Sequence, residues 1–571
     1  MGKFDIREAF QPKFFQLIKN RAYSKKLFFQ DLIAGIIVGI VAIPLAIAFG
    51  IASGVSPQQG LITAILGGFI IAIFGGSHVQ IGGPTGAFIV IIAGVIADFG
   101  FTGLIIATVL AGIILIAMGL LKLGDIIKFM PYPIIVGFTS GIAVVIFSTQ
   151  IKDFFGLTAL DGSQLVVPSD FIDKWAVFFQ NFSTINIWAT AIAVFTLVIS
   201  FTWQKVTKKI PGSLIAIILC TFGAIVLKNQ FGIEVATIGN KYPELAGGSP
   251  LPTPIAPDIT MKSIRLLLSP AFTIAMLCAI ESLMSAMVAD GVTGRNHNSN
   301  TELIGQGMAN IIVPFFGGIP VTGAIARTMT NINNGGKTPV AGIIHSVFLL
   351  LIYLFLMPLA AYIPFACLAG ILVFVAYNMS EWRSFRAILR DPIADVLVLL
   401  TTFFLTVIID LTVAIEIGLL IAAVMFIKRV MDTSGIKVLE NEIRRSENQE
   451  EQDVEIETFS NNIEIYEIDG PFFFGIANKF DEISYETKAQ KPKVRIIRMR
   501  KVPFIDSTGL KNLAALCKKS KKEKIQVILS GVTPEVYETL DKSGFMKYLD
   551  KEYIFDHISK ALDKANEIIE K

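Results

Sequence analysis

The sequence predicts an α-helical polytopic membrane protein that is followed by a small cytosolic α/β domain. Of its 571 residues, 53% are hydrophobic and 17% are charged, and the mean hydropathy is +0.65, which is too apolar for a soluble protein. A second observation is a Gly/Pro-rich motif that occurs once in each half of the apolar region. The third is a change of composition after Arg429, where strand-like and helical patterns begin to alternate.

Basic residues crowd segment 1–27, which precedes the first apolar run. They are Lys3, Arg7, Lys13, Lys19, Arg21, Lys25 and Lys26. By the positive-inside rule, this asymmetry predicts a cytoplasmic N-terminus. No small-residue cleavage site follows a short apolar core, so we expect no removed signal peptide.

The predicted transmembrane domain, 28–430, divides into about fourteen segments, because a spanning helix needs about 20 apolar residues and a half-helix fewer. They lie near 29–52, 57–74, 84–97, 101–121, 131–150, 185–203, 211–227, 269–289, 302–318, 322–332, 338–361, 364–378, 392–409 and 411–428. The third and the tenth are too short to cross alone, so each half of seven has a short helix in the same place. The basic loops fall on the side assigned to the cytoplasm, which predicts a multi-pass protein of the cell (inner) membrane with both termini cytoplasmic.

The chain after residue 430 is predicted to leave the membrane. Segment 431–457 is charged and is predicted to be a linker, and 458–571 is predicted to be an α/β domain. Its expected strands are Ile463–Ile468, Val494–Met499 and Ile525–Ser530, and its expected helices lie near 476–487, 508–521 and 534–544. Ser507 or Thr508 is expected to cap the second of these helices.

The repeated motif predicts a pair of broken helices. Pro84-Thr85-Gly86 and Thr322-Gly323-Ala324 each follow a Phe-Gly-Gly stretch and start a short apolar segment behind a threonine that can cap it. Helix beginnings present unpaired N–H groups and the positive end of the helix dipole, which favour an anion near the bilayer midplane. The alternative is that the Gly and Pro residues only kink two packed helices. We favour the first interpretation and predict an anion transporter.

Several motifs together resemble the sulfate permease (SulP) family. They are Ile43-Pro44-Leu45-Ala46-Ile47-Ala48-Phe49-Gly50, Gly54-Val55-Ser56-Pro57, Gly83-Pro84-Thr85-Gly86, Glu281-Ser282-Leu283, the stretch from Gln306-Gly307 through Asn310 to Pro320, Arg327-Thr328 and Gly335-Gly336-Lys337-Thr338. Asp506-Ser507-Thr508-Gly509 resembles the STAS domain of these transporters. The resemblance implies a seven-plus-seven inverted repeat with core and gate subdomains that move in an elevator-like cycle, usually as a homodimer. Family substrates include sulfate, bicarbonate, chloride and dicarboxylates, so the resemblance does not choose among them.

The candidate substrate-binding residues follow from the two short helices. The expected backbone donors are Gly86, Ala87 and Phe88 in the first and Gly323, Ala324 and Ile325 in the second, with Thr85 at the first helix start. Phe49 and Phe88 are expected to close the site with aromatic faces, although phenylalanines in membrane proteins are commonly packing residues.

Arg327 is a further candidate, because it lies one turn after Gly323 on the same face of the short helix. A guanidinium inside a membrane segment is costly unless it is paired or lies in a cavity. It is expected either to bind the anion as a fork or to form a structural ion pair with Glu281 or Glu416.

Glu281 lies in an otherwise apolar helix with Ser285 one turn later. Burial favours the neutral form of a carboxylic acid, so the hypothesis is that Glu281, with Ser285, couples anion uptake to protons. In sodium-coupled members of the family this position tends to be an Asp with hydroxyl partners on both helices. Ile325 stands where the second hydroxyl is wanted, so H⁺ is favoured over Na⁺ as the coupling ion.

No catalytic triad, nucleotide-binding loop or metal cluster stands out, so we expect no enzyme, no cofactor, no metal and no nucleic-acid partner. The leading interpretation is proton-coupled symport of a small anion. The alternatives are a sodium-coupled bicarbonate symporter, an uncoupled anion exchanger or channel, a nucleobase permease, and a membrane-anchored sensor. A STAS domain can bind a cytosolic partner, and its Ser507 is a candidate phosphorylation site because related standalone STAS proteins are phosphorylated there.

Overall fold

The computed structural model describes residues 10–21, 23–127, 131–168, 170–206, 211–247, 254–257, 260–409, 411–439, 442–444, 456–458, 460, 462–474 and 492–570. The chain divides into two compact units, Met1–Ala422 and Ala423–Lys571. The division falls inside a helix, eight residues before the predicted end of the transmembrane domain. The helix predicted near 476–487 lies outside the described residues.

The first half of unit 1 is helical apart from one very short strand. Its elements are α1 (Lys13–Lys19), α2 (Lys25–Ala52), α3 (Pro57–Ile62), a π turn (Thr63–Gly67), α4 (Gly68–Phe74), β1 (Gly82–Gly83), a 3₁₀ turn (Gly86–Phe88), α5 (Ile89–Leu120), α6 (Gly124–Ile127), α7 (Tyr132–Phe155), α8 (Phe171–Gln180), α9 (Ile187–Val206) and α10 (Gly212–Phe231). Gly100 interrupts α5 with φ +69°, which separates the predicted short segment from the long one that follows.

The second half of unit 1 is also helical apart from one very short strand. Its elements are α11 (Ile238–Lys241), α12 (Met261–Thr293), α13 (Ser299–Ile312), β2 (Thr322–Gly323), α14 (Ile325–Asn333), α15 (Val340–Leu356), α16 (Phe365–Met379), α17 (Trp382–Ile388), α18 (Ile393–Ile408) and α19 (Leu411–Thr433). Every predicted apolar segment overlaps a helix or one of its turns. Eight helical segments among the described residues are long and apolar enough to span a membrane, and the count of fourteen crossings stays a prediction.

Sequence signals at the helix ends explain several of these bounds. Ser56 and Gln59 form a capping box at the start of α3, and Pro57 occupies the first helical position, where its missing N–H costs nothing. Gly156 and Gly294 end α7 and α12 in the left-handed conformation that glycine adopts without strain. Local sequence therefore sets helix ends where no long-range partner competes.

The helices of unit 1 pack in two groups. One group, which we call the core, contains α2, α3, α4, α5, α12, α13, α14 and α15; the other, the gate, contains α7, α9, α10, α16 and α18. Close packing within the core uses small residues. A Cβ at Gly112 of α5 would lie 2.6 Å from the Gly307 carbonyl oxygen of α13. Such contacts hold membrane helices together where apolar burial alone gives no preference.

Unit 2 contains a five-stranded sheet in the order β3-β6-β7-β8-β9. The strands are β3 (Gly435–Leu439), β6 (Ile463–Asp469), β7 (Val494–Lys501), β8 (Gln526–Ser530) and β9 (Ile554–Phe555), and a separate hairpin pairs β4 (Glu442–Arg444) with β5 (Ile456–Thr458). The helices are α20 (Ser507–Lys522), α21 (Pro534–Lys542) and α22 (Ile558–Glu570). The parallel pairings β6·β7·β8·β9 confirm the predicted α/β class.

Two predictions in unit 2 were wrong. Segment 431–457 is not only a linker, because β3 pairs antiparallel with β6 and extends the sheet. Its alternating Ile436-Lys437-Val438 suits an edge strand, and the surrounding charges concealed this pattern. The cap of α20 is Asp506, whose Oδ1 accepts a hydrogen bond of 2.7 Å from Gly509 N. Ser507 is instead the first helical residue, and it is exposed.

Candidate anion-binding site

Two strands cross at the centre of unit 1 and bring the two short helices together. β1 pairs antiparallel with β2, with Gly82 opposite Gly323 and Gly83 opposite Thr322. β1 leads through Pro84 and Thr85 into the 3₁₀ turn and α5, whereas β2 leads into α14. Both helix beginnings therefore lie next to the same crossing, as the repeated motif predicts.

A cavity of about 650 Å³ lies at these helix beginnings, between the core and the gate. Its core wall includes Leu45, Phe49, Thr85, Gly86, Glu281, Gly323, Ala324, Ile325, Ala326 and Arg327, and its gate wall includes Ile135, Phe138, Ser200, Ile371 and Phe374. Three candidates do not line it: Ala87, Phe88 and Ser285. Phe88 is fully buried behind the wall, so its ring packs and does not close the site.

The N–H groups available to an anion differ from those predicted. Gly323 N donates to Ser282 Oγ at 3.2 Å and Ala324 N donates to the Ile81 carbonyl at 2.9 Å, so neither is free. The first intrahelical bond of α14 is Thr328 N to Ala324 O, which leaves the N–H groups of Ile325 and Ala326 before it. The helix starts three residues later than predicted, because the residues before it form β2 and pair with β1.

The first short helix has fewer free backbone N–H groups than predicted. Phe88 N donates to the Thr85 carbonyl at 3.3 Å within the 3₁₀ turn, so this N–H group is not free for an anion. The N–H groups of Gly86 and Ala87 find no backbone or side-chain acceptor among the described residues. Gly86 also lies 3.3 Å, measured from a Cβ built on it, from the Phe49 ring. Gly86 and the neighbouring Phe49 ring therefore line the cavity together.

Neither threonine caps its helix, which corrects the sequence prediction. Thr85 Oγ1 donates to Glu281 Oε2 at 2.8 Å. Thr322 Oγ1 donates to the Cys278 carbonyl at 3.1 Å and lies 2.6 Å from Ser282 Oγ, while Ala324 takes the N-cap position of α14. Both hydroxyls thus fasten the crossing to α12, a long-range contact that competes successfully with local capping.

Arg327 carries the positive charge of the site. Its side chain is 1% exposed, and its Nη2 donates to the Pro84 carbonyl. Its Nη1 has no hydrogen-bond partner. Among the described residues Arg327 forms no ion pair, and Glu416 is exposed on α19, so the structure does not contain the predicted alternative of a structural salt bridge. Arg327 lines the cavity, and a buried guanidinium with an unused N–H beside a cavity is suited to an anion.

Glu281 and Ser285 separate in the structure. Glu281 lines the cavity and accepts the Thr85 hydroxyl, whereas Ser285 does not line it and its Oγ donates to Thr328 Oγ1 at 3.2 Å. Ser282, not Ser285, is the serine of α12 that contacts the crossing. The hydroxyl adjacent to Glu281 therefore comes from the other half of the protein.

Sequence reasoning missed Glu302, which organises the loop before β1. Its Oε2 accepts from Gly76 N at 2.8 Å and Ser77 N at 3.1 Å, and its Oε1 accepts from Gln80 Nε2 at 2.9 Å and Gln306 Nε2 at 2.8 Å. Gln80 in turn lies against the crossing, since a Cβ at Gly323 would be 1.8 Å from Gln80 Nε2. A Glu with a Gln one turn later in an apolar helix was the available signal.

A helical membrane domain with two broken helices around a cavity that contains a buried arginine and a glutamate, joined to an α/β domain, defines the class of polytopic membrane transporters. The comparisons identify the family within this class. Residues 28–402 match the model of the sulfate permease family and residues 453–565 match that of the STAS domain. The chain therefore belongs to the sulfate permease family, and it is an anion transporter and not an enzyme.

Relatives along the whole chain agree with this assignment. The chain is 42% identical over 537 residues to the putative sulfate transporter YvdB of Bacillus subtilis, covering 94% of this chain and 98% of the relative. It is 31% identical over 550 residues to the bicarbonate transporter BicA of Synechocystis sp., covering 94% of each.

Two solved structures share the fold. The transmembrane domain of a cyanobacterial BicA is 30% identical with a TM-score of 0.60, covering 70% of this chain and 98% of that chain. The murine Slc26a9 anion transporter in the inward-facing state matches with a TM-score of 0.85 over 99% of this chain and 95% of that chain. Its sequence identity is 17%, so this likeness concerns the fold alone.

Proposed function

We propose that the protein is a secondary active transporter that carries a small oxyanion together with a proton. The observation that carries the proposal is a cavity lined by Glu281 and by Arg327, whose buried guanidinium has an unpaired Nη1. The relatives named as sulfate and bicarbonate transporters support this substrate class, and dicarboxylates present the same anionic oxygens. Oxygen atoms of such anions match the donors of Arg327, Ile325 and Ala326.

Proton coupling follows from the charges in the cavity. When Glu281 is ionised, its negative charge opposes the anion and offsets Arg327. When Glu281 is protonated, Arg327 attracts the anion without that opposition. Anion and proton therefore promote each other's binding, and linkage makes this effect reciprocal. This reciprocity is what a symporter requires, and the gate facing the same cavity supplies the surface for an elevator-like movement of the core.

Sodium coupling has weaker support. The hydroxyls closest to the crossing, those of Ser282 and Thr322, already bind Gly323 N and the Cys278 carbonyl. Ile325 lines the cavity, but its side chain has no oxygen atom that could bind sodium. A sodium ion needs several free oxygen ligands. We therefore favour H⁺, and we infer cytoplasmic termini and a homodimer from the topology and the family.

Proteoliposomes test the proposal. Uptake of labelled sulfate, bicarbonate and fumarate is measured with an inward proton gradient, an inward sodium gradient, or neither. We expect one anion to accumulate with the proton gradient and to show counterflow when unlabelled anion is inside. Uptake without counterflow would indicate a channel, and dependence on sodium would overturn the proton assignment.

Arg327 supplies the matched variants. Arg327→Gln is expected to lower kcat/KM at least tenfold, because a charge-assisted bond contributes about 1.5–3 kcal/mol. Arg265→Gln, which changes an exposed arginine at the start of α12 outside the cavity, is expected to leave uptake unchanged. Equal activity of both variants would contradict the assigned role of Arg327.

A further inference from the structure

A second cavity, of about 480 Å³, lies at the opposite end of the same helices. Ala52 and Phe365, at the end of α2 and the beginning of α16, line this second cavity, whereas Val41 and Asn378 line the main cavity. The two cavities approach each other closely, because Ala48 lines one and the adjacent Phe49 lines the other.

The second cavity has a charged lining that the transport mechanism above does not use. Lys152 and Lys241 contribute ammonium groups, and Asp153 contributes a carboxylate that interacts electrostatically with both. The remaining carboxylate, Glu234, is paired with Lys228 at 3.1 Å. Apart from Glu234, which is engaged by Lys228, the lining presents two ammonium groups and one carboxylate.

Uncharged groups hold the side chains of Lys152 and Lys241 in place. Lys152 Nζ donates to the Leu165 carbonyl at 2.7 Å, and Lys241 Nζ lies 5.4 Å from the centre of the Tyr242 ring. Among the described residues, neither lysine forms an ion pair with Asp153. A buried or half-buried structural salt bridge would bring the charged atoms into contact. The ammonium groups are therefore positioned by neutral partners and remain able to bind an anion.

The neutral part of the lining suits a hydrated anion. It contains the polar side chains of Thr149, Gln150, Thr158, Gln164, Asn186 and Asn240. These groups can replace or bridge hydration water. Ammonium groups in a cleft also raise the local concentration of an anionic solute.

We propose that the second cavity is a separate capture site for the transported oxyanion, in which Lys152 and Lys241 bind the anion and Asp153 limits its affinity. The site faces the side of the membrane at which α2 ends, which the predicted topology places outside the cell. Movement of the core would then connect the capture site to the main site. The inference rests on the proposed transport function.

Sided kinetics test this inference on the full chain in vesicles of defined orientation. Lys241→Gln is expected to raise KM about three- to tenfold for uptake from the face of the second cavity, with kcat and the KM at the other face unchanged. The effect should be larger at low ionic strength. Lys241→Arg should restore the KM, and Lys262→Gln, which removes an exposed lysine outside the lining, should not change it.

Asp153→Asn gives the opposite expectation. Removal of the carboxylate should lower the KM at the same face, because it leaves the lysines unopposed. Equal changes at both faces, no change with Lys241→Gln, or changes of the same sign in Lys241→Gln and Asp153→Asn would overturn the capture site. Such outcomes with intact transport would leave the proposed function standing.

A binding measurement separates the two proposals if the wild-type protein transports none of the tested anions. Equilibrium dialysis with labelled sulfate is performed on Arg327→Gln, whose main site is disabled. We expect one bound sulfate, which is lost when Lys241→Gln is added to Arg327→Gln. The absence of sulfate binding to Arg327→Gln would overturn the capture site, whereas the absence of transport alone would overturn only the proposed function.

Discussion

Thr85 Oγ1 donates a 2.8 Å hydrogen bond to Glu281 Oε2, which joins the broken helix of one half to a long helix of the other. The hydroxyl occupies the N-cap position but points away from its own helix. It leaves the N–H groups of Gly86 and Ala87 uncapped and holds the carboxylate at the cavity wall. One contact therefore keeps donors free for an anion and positions the group proposed to carry the proton.

The first prediction concerns Glu281. Glu281→Gln keeps an acceptor for Thr85 but cannot bind or release a proton. We expect this variant to retain anion counterflow and to lose accumulation driven by a proton gradient. Labelled uptake at several internal and external pH values measures both properties. If Glu281→Gln still concentrates the anion with the same pH dependence, the proton does not pass through Glu281.

Thr85→Val tests the hydrogen bond itself. Loss of the hydroxyl leaves Glu281 without its partner, and we expect a shift in the pH dependence of uptake together with a lower kcat. Thr330→Val is the matched control, because Thr330 also lines the cavity but its hydroxyl bonds to the Ala326 carbonyl of its own helix at 2.8 Å. An identical pH profile for both variants would argue against the positioning role of Thr85.

The second prediction concerns the close approach of backbone and guanidinium at Gly83. A Cβ there would lie 2.0 Å from Arg327 Nη1, so Gly83→Ala must displace the arginine. We expect at least a tenfold loss of uptake with the protein still folded. Gly94→Ala is the control, since nothing lies within 4 Å of its Cβ position in the same broken helix. Equal uptake by the two variants would show that Arg327 tolerates displacement.

Hydrophobic periodicity and Gly/Pro punctuation were sufficient to predict the broken helices and their meeting point. They could not predict β1 and β2, because two residues are too few to show a period. They also misplaced the helix starts. Thr85 and Thr322 satisfy the local rule for capping, but their actual partners, Glu281 and the Cys278 carbonyl, lie about 200 and 44 residues away in sequence.

The hydrogen-bond network of Glu302 was missed for the same reason, because most of its partners are distant in the sequence. Three of its four donors come from the distant loop 76–80, and only Gln306 is near it in the sequence. In unit 2, alternation of strands and helices predicted the sheet, whereas the edge strand β3 was concealed by neighbouring charges. Patterns within one element are thus readable from sequence, but pairings between distant polar groups depend on the fold.

The third prediction uses a thiol in unit 2. Burial raises the pKa of Cys517 to about 12, so the native thiol stays protonated and unreactive at pH 8. We expect no alkylation of Cys517 by iodoacetamide in the folded protein and complete alkylation after denaturation, measured by peptide mass spectrometry. Ser507→Cys, which places a thiol on an exposed position of the same helix, should react in the folded protein. Rapid native alkylation of Cys517 would contradict its burial.

The same group contributes to stability with a defined sign. An unfolded thiol has a pKa of about 8.5, so the unfolded state loses its proton first as pH rises. The contribution of Cys517 is complete below about pH 8.5 and is lost as pH increases toward 12. Cys517→Ala should therefore show a smaller decrease in Tm between pH 8 and 10 than the wild type, as a thermal scan would record.

The fourth prediction follows from Glu302, whose carboxylate accepts four buried hydrogen bonds. Glu302→Ala leaves these donors unpaired at about 1–3 kcal/mol each, so we expect a Tm in detergent lower by many degrees and little folded protein. Glu302→Gln should be intermediate, because the amide offers one acceptor oxygen and opposes donor to donor at the other atom. Asp98→Ala, which removes an exposed carboxylate from α5, should leave the Tm unchanged. If Glu302→Ala and Asp98→Ala have the same Tm, the loop before β1 does not depend on this carboxylate.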